Sequence, residues 1–515
     1  MFQTRRLLLT LLMIVGTTQL GGCAVNPVTG KNELSLIPES QELAIGAEQY
    51  LPSQQSQGGL YTVDPTVTRY VSEVGQRLAR VSDRNLPYEF VVLNNSVPNA
   101  WALPGGKIAV NRGLLLRLES EAELAAVLGH EIVHAAAKHG ANAMNRGMLL
   151  QLGVLGTALA AGDSEYANFI VGGAQLGTQL ISTKYGREAE LESDYYGMQY
   201  MKRAGYNPEA AIRLQETFVK LSGGNEPGWL DGLFASHPPS QERVNRNRET
   251  ALALGMAGEV GRDRYRTSIA TLIDSRDAYE VFDQAQAKAG AGDLPGAIAA
   301  VSRAIELESR EPRFYGLRGD ILLAQNKYGP ATAEFEKALE RDPNYYEYYL
   351  GRGLANARLG RPVEARADFE RSNQLLPTAI AANALGELTL AAGERSTAKQ
   401  YFQAAMAAQG PVGQNATNAF VRLDLTDNPG RYIEARPVLT DNRQLVAVIA
   451  NRTSLTINNI QVEFQVTSNG NRIRRVVSIP SLAPGQGGNL ASGWEFGGAD
   501  TLENPGVSVL SAQLP

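Results

Sequence analysis

Three of the four histidines in the chain lie within ten consecutive residues, in the segment LAAVLGHEIVHAAAKHG, Leu124 to Gly140. His130 and His134 are four positions apart, about 400° around a helix, so both imidazoles project from one face. Glu131 follows His130 directly and lies close enough to hold a water without being a ligand. This spacing predicts a zinc site whose water is activated with Glu131 as general base. The alternative is a helix with incidental histidines.

A catalytic zinc ion normally takes three protein ligands and leaves one position for water. The segment YGREAELESDYYG, Tyr185 to Gly197, offers the third ligand, because Glu190 and Asp194 again lie four apart on one helical face. We predict that Glu190 binds the metal and that Asp194 orients one of the ligand histidines. The alternative is a solvated acidic face, and we interpret Glu188 and Glu192, on other faces, as solvated charges.

Four segments carry a resemblance to a known family. In chain order they read NAWALPGGKIAVNRGLL, ELAAVLGHEIVHAAAKHG, YGREAELESDYYGMQYM and SHPPSQER. Together they resemble the HtpX/BepA-like zinc metallopeptidases, over roughly residues 30–250. The resemblance implies a mainly helical zincin-type domain with one zinc ion. It places the metal ligands and the general base at His130, His134, Glu190 and Glu131.

The resemblance also implies roles for residues outside these two helices. It implies a strand that pairs with extended substrate by backbone hydrogen bonds, formed by Asn99, Ala100, Trp101 and Ala102. A plain core hairpin is the alternative for this strand. His237 is expected beside the zinc, where it either stabilises the oxyanion of the tetrahedral intermediate or fills the open coordination position of a latent enzyme. Arg243 either assists the oxyanion or pairs with an acidic neighbour.

His139 is the fourth histidine to be placed. It follows His134 by five residues, so it lies about 140° from the ligand face of a continuous helix. We therefore expect it to be structural or to support a ligand, and not to bind the metal itself.

The first residues have the features of a bacterial lipoprotein signal. A pair of arginines precedes a short apolar run, and Leu20 to Cys23, LGGC, resembles the lipobox that is cut before the cysteine. We predict that residues 1–22 are removed, that Cys23 carries the lipid and that residues 23–40 form a tether. An ordinary signal peptide with an accidental cysteine is the alternative. Ala24 fits sorting to the outer membrane of a Gram-negative host.

Charge and hydropathy exclude two further classes. Loss of the signal peptide removes two arginines, so the formal net charge changes from −5 to −7, which excludes a typical nucleic-acid binder. The apolar stretch Gly147 to Ile181 is interrupted by AGDSE, Ala161 to Glu165, and neither half reaches the roughly 18 apolar residues that a membrane span needs. We predict that this stretch forms two helices. They belong to a soluble peptidase domain that spans residues 41–250.

From about residue 277 to residue 410 the sequence repeats itself with a period of 33 to 34 residues. The small position is Ala297, Ala331, Ala365 and Ala398, and the large apolar position is Val301, Phe335, Phe369 and Phe402. This period is typical of tetratricopeptide repeats, pairs of antiparallel helices that stack into a solenoid with a concave protein-binding face. Four tyrosines open the third unit, Tyr345, Tyr346, Tyr348 and Tyr349, and they line that face or pack in the core.

The remaining residues, 428–515, contain three strand-like segments separated by N-N, N-G and P-G turn signals. We predict a small β-sandwich of immunoglobulin-like type. Nothing in this module suggests catalysis, so we expect it to be an interaction or spacer module.

The sequence therefore predicts a multidomain α+β protein: a zinc endopeptidase on an outer-membrane lipid anchor, facing the periplasm. The resemblance implies quality control of misfolded or misassembled envelope proteins, with the repeats presenting substrates or docking on an outer-membrane assembly machine. The alternative is a periplasmic chaperone or assembly scaffold with a latent zinc site. A zinc site used only structurally is a third hypothesis and requires a permanent fourth protein ligand.

Overall fold

The computed structural model describes residues 23–145, 184–222 and 232–515 of the chain. The predicted signal peptide and the apolar stretch 147–181 lie outside these residues. Two compact units divide the described chain. The first runs to Gly360 and includes residues 374–376, and the second comprises residues 361–373 and 377–515.

The first unit begins with a two-stranded antiparallel sheet, formed by its first two strands, and continues with helices and a small mixed sheet of three strands. Its elements are β1 Cys23–Val25, β2 Asn32–Leu34, α1 Glu39–Ser56, α2 Pro65–Ala79, β3 Glu89–Leu93, β4 Ala100–Leu103, β5 Lys107–Asn111 and α3 Arg112–Leu115. Strand β5 is buried in the middle, parallel to β3 and antiparallel to β4, so β4 is an edge strand. The predicted hairpin is present, and it turns at Gly105 and Gly106, whose positive φ angles of 78° and 82° suit glycine.

Five further helices of the predicted peptidase domain lie wholly within the described residues. They are α4 Glu121–Ala136, α5 Arg187–Arg203, α6 Glu209–Ser222, α7 Leu233–Ser236 and α8 Gln241–Leu254. Every residue of α4 is buried, as expected for a helix that runs through a core. Its first turn is fixed by Ser120, whose hydroxyl accepts a hydrogen bond from the Glu123 amide.

Helices α4 and α5 approach each other closely at a pair of glycines. A Cβ atom on Gly197 would lie 3.0 Å from the His130 amide nitrogen and 3.1 Å from the Gly129 carbonyl carbon. A side chain at this position would press against the backbone of α4, so glycine favours the close approach. The close crossing brings the acidic residues of α5 against the histidines of α4.

Helical pairs follow in both units. Two short helices, α9 Arg262–Ser268 and α10 Ala270–Asp274, lead to α11 Arg276–Gly290, α12 Leu294–Leu307, α13 Pro312–Ala324, α14 Tyr328–Arg341 and α15 Tyr346–Arg358. The second unit continues with α16 Pro362–Leu375, α17 Ala379–Ala391, α18 Arg395–Ala405 and α19 Pro411–Asp424. The eight residues that define the repeat in the sequence are all buried, with at most 1% of their surface exposed. The repeat prediction is confirmed, and α19 is a further helix that the sequence analysis did not predict.

The first repeats are joined to the predicted peptidase domain by buried polar contacts within the first unit. Glu311 accepts hydrogen bonds from Asn94 Nδ2, at 2.8 Å, and from the Tyr279 hydroxyl. The guanidinium of Arg112 lies 3.4 Å from the Tyr279 ring centroid. Tyr345 is 2% exposed and packs on Gly59, so core packing is the correct alternative for this tyrosine.

The end of the chain forms two three-stranded antiparallel sheets. After a 3-10 turn, Pro429–Arg431, the strands are β6 Ile433–Leu439, β7 Leu445–Asn451, β8 Ile457–Ser468, β9 Asn471–Leu482, β10 Gly487–Ala491 and β11 Leu502–Gln513. The sheets have the orders β10-β7-β6 and β11-β8-β9 and share one apolar core. Across the described ranges, no helix combines the length and apolar character needed to cross a membrane.

Candidate metal centre and active site

Helices α4 and α5 and the residue after α7 bring four candidate ligands together. The ligand atoms of His130, His134, Glu190 and His237 all lie within 4.8 Å of one another. All four side chains are buried. The three predicted ligands are therefore adjacent, and His237 adds a fourth donor to the cluster.

The separations fit one small cation with nitrogen and oxygen ligands. The Nε2 atoms of His130 and His134 are 3.0 Å apart, and the His134 Nε2 atom is 3.4 Å from Glu190 Oε1. The His237 Nδ1 atom is 3.3 Å from His130 Nε2 and 3.0 Å from Glu190 Oε1. Ligands at the usual zinc distances of about 2.0–2.1 Å, in a tetrahedron, are about 3.3 Å from one another. The donor set therefore fits zinc.

The buried carboxylates around the cluster also favour a bound cation. Burial lowers the pKa of His130, but the neighbouring Glu190 and Asp194 carboxylates outweigh burial and raise this pKa to about 9. Burial acts to raise the pKa of Glu190, but His237 and His130 hold it well below its usual value. Burial lowers the pKa of His134 well below its usual value. Glu190 thus stays ionised, as a metal ligand must be, whereas His130 has to give up its proton when a metal binds.

Glu131 lies beside the cluster without belonging to it. Its Oε1 atom is 3.7 Å from His237 Nε2, and its Oε2 atom is without a hydrogen-bond partner in the described structure. The side chain is 2% exposed, and burial raises the pKa of its carboxyl group. A carboxylate with a raised pKa and a free oxygen is suited to accept a proton and return it.

Asp194 and Arg243 hold the first ligand histidine. Asp194 Oδ1 is 2.9 Å from His130 Nδ1, which leaves the Nε2 atom of this ring directed at the cluster. Arg243 donates two hydrogen bonds of 2.7 Å to the Asp194 carboxylate. Its third nitrogen lies 2.9 Å from Glu190 Oε2. Of the two roles considered for Arg243, these contacts match pairing with an acidic neighbour.

His139 and Glu192 form a contact that the sequence analysis missed. The Nδ1 atoms of His139 and His134 are 2.9 Å apart, and His139 Nε2 is 3.2 Å from Glu192 Oε1. The interpretation of Glu192 as a solvated surface charge is therefore wrong, since its side chain is 18% exposed and pairs with a buried imidazole. The sequence holds no signal for this pair, because a continuous helix would direct His139 away from His134.

Strand β4 packs against helix α4. Its residue Trp101 is 3% exposed and meets the Tyr50 ring edge-on, with the ring centroids 6.3 Å apart. The amide of Leu233, at the start of α7, donates to the Pro98 carbonyl just before the strand, at 3.1 Å. In the described structure, β5 is the one strand that pairs with β4, so the predicted substrate strand has a second edge outside the sheet.

Comparisons with protein families agree with this architecture. The model of Peptidase family M48 matches residues 65–251, which contain all the candidate ligands. Tetratricopeptide repeat models match residues 282–345 and 320–380. Among solved structures, the first TPR domain of human RPAP3 is similar to 23% of this chain and 95% of that domain, with 21% identity and a TM-score of 0.23.

Curated relatives cover most of the chain. The beta-barrel assembly-enhancing protease of Yersinia pestis is 28% identical over 414 residues, which are 72% of this chain and 84% of the relative. The protein of the same name in Escherichia coli K12 is 26% identical over 369 residues, 66% of this chain and 74% of the relative. The mitochondrial metalloendopeptidase OMA1 of Schizosaccharomyces pombe is 32% identical over 221 residues, 42% of this chain and 62% of the relative.

The resemblance inferred from the four motifs is thereby confirmed, as are the multidomain α+β fold class and the repeats. A family M48 domain implies a divalent metal ion, and the buried cluster provides ligands for one. The chain therefore contains a peptidase family M48 domain followed by tetratricopeptide repeats, and it is a metalloendopeptidase.

Proposed function

We propose that the chain is a zinc-dependent endopeptidase of the bacterial cell envelope. One observation carries the proposal: three ligands of the predicted types lie in one buried cluster, with the free carboxylate of Glu131 next to it. His130, His134 and Glu190 hold the metal, and Asp194 orients His130. When bound, zinc supplies a Lewis acid that polarises the scissile carbonyl and acidifies water.

Glu131 performs the proton transfers of the reaction. Its Oε2 atom takes the proton from the attacking water and later gives it to the leaving amine. The raised pKa that burial causes favours the first step, because a carboxylate with a higher pKa is the stronger base. Strand β4 binds the extended substrate along its outer edge and so holds the scissile bond in front of this carboxylate.

The test of this mechanism is the substitution Glu131→Gln. The amide keeps the shape of the side chain but accepts no proton, so we expect peptide hydrolysis to fall by about 10²–10⁴-fold. Zinc content should stay unchanged, because Glu131 is not a ligand. The measurements are cleavage of an unfolded protein and metal analysis of the purified chain. Glu188→Gln, on the exposed first turn of α5, is the matched control, and full residual cleavage by the Glu131 variant would refute the mechanism.

The proposed substrates are misfolded or misassembled proteins of the outer membrane and periplasm. Support comes from the relatives in Yersinia pestis and Escherichia coli, which are named for enhancing β-barrel assembly. The repeats then present substrates or dock on an outer-membrane assembly machine, and a lipid on Cys23 anchors the chain to the membrane facing the periplasm. Proteomics of envelope proteins that accumulate in cells carrying Glu131→Gln would identify the substrates.

A periplasmic chaperone or assembly scaffold with a latent zinc site is the second candidate. Its one support is the position of His237, because four protein donors in one cluster leave no ligand position for water, whereas the relatives named as proteases favour the peptidase. This candidate predicts that no change at His237 releases peptidase activity. It also predicts that loss of the repeats is more damaging in cells than Glu131→Gln.

A further inference from the structure

The backbone between α4 and the next helical turns changes direction at Lys138. Helix α4 ends at Ala136, Lys138 has a φ of 59°, and helical structure resumes at residue 139. A left-handed conformation is unfavourable for a residue with a Cβ atom, and strain of this kind is concentrated at functional positions. Here the turn brings His139 back against the preceding helix.

The result is a contact between two imidazoles at matching atoms. His139 Nδ1 lies 2.9 Å from His134 Nδ1, and both rings are at least nine-tenths buried. One of these nitrogens has to carry the hydrogen and the other has to accept it, since two lone pairs at this distance repel each other. Which of the two rings is the donor depends on what each ring contacts at its Nε2 atom.

The contacts at the two Nε2 atoms both make His134 the donor and His139 the acceptor. If His134 binds a metal through Nε2, its hydrogen is on Nδ1 and is donated to His139. His139 then carries its own hydrogen on Nε2, which is directed at Glu192 Oε1 at 3.2 Å. The carboxylate accepts this hydrogen, so the chain of contacts from Glu192 to His134 is satisfied in one arrangement only.

The two ligand histidines therefore have different supports. His130 is held by Asp194, whose charge is shared with Arg243. Among the described residues, the Nδ1 atom of His134 contacts the His139 ring and not a carboxylate, while Tyr185 stacks on the His134 ring with the centroids 4.0 Å apart. A hydrogen-bond acceptor on the outer nitrogen of a ligand histidine fixes its tautomer and its orientation.

We propose that His139 and Glu192 form a positioning pair that holds His134 in the metal-binding tautomer and thereby raises the affinity of the site for zinc. The proposal rests on the proposed function only in placing the metal at His130, His134 and Glu190. It assigns no contact with substrate to either residue of the pair.

The test measures zinc affinity of the full-length chain, prepared without metal, by competition with a chromophoric chelator. His139→Ala removes the acceptor, so affinity should fall by about 10–100-fold. His139→Asn keeps an oxygen acceptor near the Nδ1 position, so most of the affinity should return. Thermal unfolding of the metal-free proteins checks the fold, and the stabilisation on adding zinc should be smaller for the alanine variant alone.

A matched pair on α5 tests the outer residue. Glu192→Ala should weaken zinc binding several-fold, whereas Glu188→Ala removes the same charge one turn earlier at an exposed position and should leave zinc affinity unchanged. Equal effects of the two substitutions would mean that Glu192 acts only through its charge. That result would contradict the proposed positioning pair.

The proposal is also overturned if His139→Ala binds zinc as the unchanged chain does, or if asparagine and alanine at this position are equally weak. Failure of the proposed function gives a different result. In that case the unchanged chain itself binds no zinc, or binds it with an affinity that His130→Ala does not alter.

Discussion

The imidazole of His237 supplies the fourth donor of the buried cluster. Its Nδ1 atom is 3.0 Å from Glu190 Oε1, and its amide is bound to the Leu233 carbonyl at 2.7 Å, so the ring is held by the short helix α7. A zinc site with four protein donors is closed to substrate. We infer that His237 takes the latent role considered for it, in which it fills the open ligand position.

The substitution His237→Ala tests this inference. Removing the fourth donor opens one ligand position, so we expect the rate of hydrolysis of a short unstructured peptide to rise several-fold. Zinc content should remain near one ion per chain, since three ligands are left. Peptide cleavage and metal analysis of the same preparation show whether His237 blocks the ligand position.

Two other outcomes have distinct meanings. A fall in kcat with unchanged zinc content would make His237 an oxyanion donor, as in the other role considered for it. Absence of cleavage before and after the substitution would favour the scaffold hypothesis.

At the scale of elements, the segment between β3 and β4 is held from two sides. On one side, Asn94 receives a hydrogen bond of 2.8 Å from Arg112 and donates one to Glu311 of the second repeat. On the other side, the Pro98 carbonyl accepts from Leu233 in α7. The repeats therefore contact the segment that leads into the proposed substrate strand and touches the helix before His237.

Glu311→Ala should disturb this segment. The residue is fully buried, and its loss leaves Asn94, Tyr279 and the Arg313 amide without their acceptor. A buried donor that loses its acceptor costs about 1–3 kcal/mol. We expect a lower unfolding temperature and, because the substrate strand is less well held, a higher KM for peptide.

The control for this substitution is Glu336→Ala, at an exposed position of α14 in the same repeat. It should leave stability and KM unchanged. An unchanged unfolding temperature for Glu311→Ala would mean that the repeats and the peptidase domain are joined by other contacts.

At the scale of the whole molecule, the division into two units does not follow the division into domains. The first unit contains the peptidase residues together with helices α11–α15, and the second begins within the third repeat and ends with the two sheets. The residues that build the metal centre, and the repeat residues that contact the peptidase domain, all belong to the first unit. This unit should therefore be able to act as a peptidase without the second one.

A chain that ends after Leu376 tests this expectation. It keeps the first unit, so we expect it to bind zinc and to cleave an unstructured peptide at a rate within a few-fold of the full chain. A chain that ends after Asp274 loses Tyr279 and Glu311, which exposes Arg112 and Asn94, and should unfold at a lower temperature. Circular dichroism, zinc binding and peptide cleavage compare the two. Equal stability of both shortened chains would contradict the expectation.

The same two chains distinguish the peptidase from the scaffold. A peptidase keeps its activity on peptides when the second unit is absent, although it can lose substrates that this unit presents. A scaffold acts through its docking surfaces, so its function in cells should be lost with the second unit while Glu131→Gln has little effect.

The sequence alone determined the features that depend on local periodicity. Four-residue spacing places His130 beside His134, and Glu190 beside Asp194, on helical faces, because the helix repeats every 3.6 residues wherever it lies. The repeat period of 33 to 34 residues likewise fixed the helix pairs, since each small residue must sit where two helices cross.

Tertiary structure decided what depends on where helices cross and where the backbone turns. Gly129 and Gly197 set the distance between α4 and α5, and the left-handed turn at Lys138 returns His139 to His134. Glu311 and Asn94 are 217 residues apart in the chain and meet only in the fold. No local pattern encodes these approaches, because they result from packing between segments whose separation in sequence carries no period.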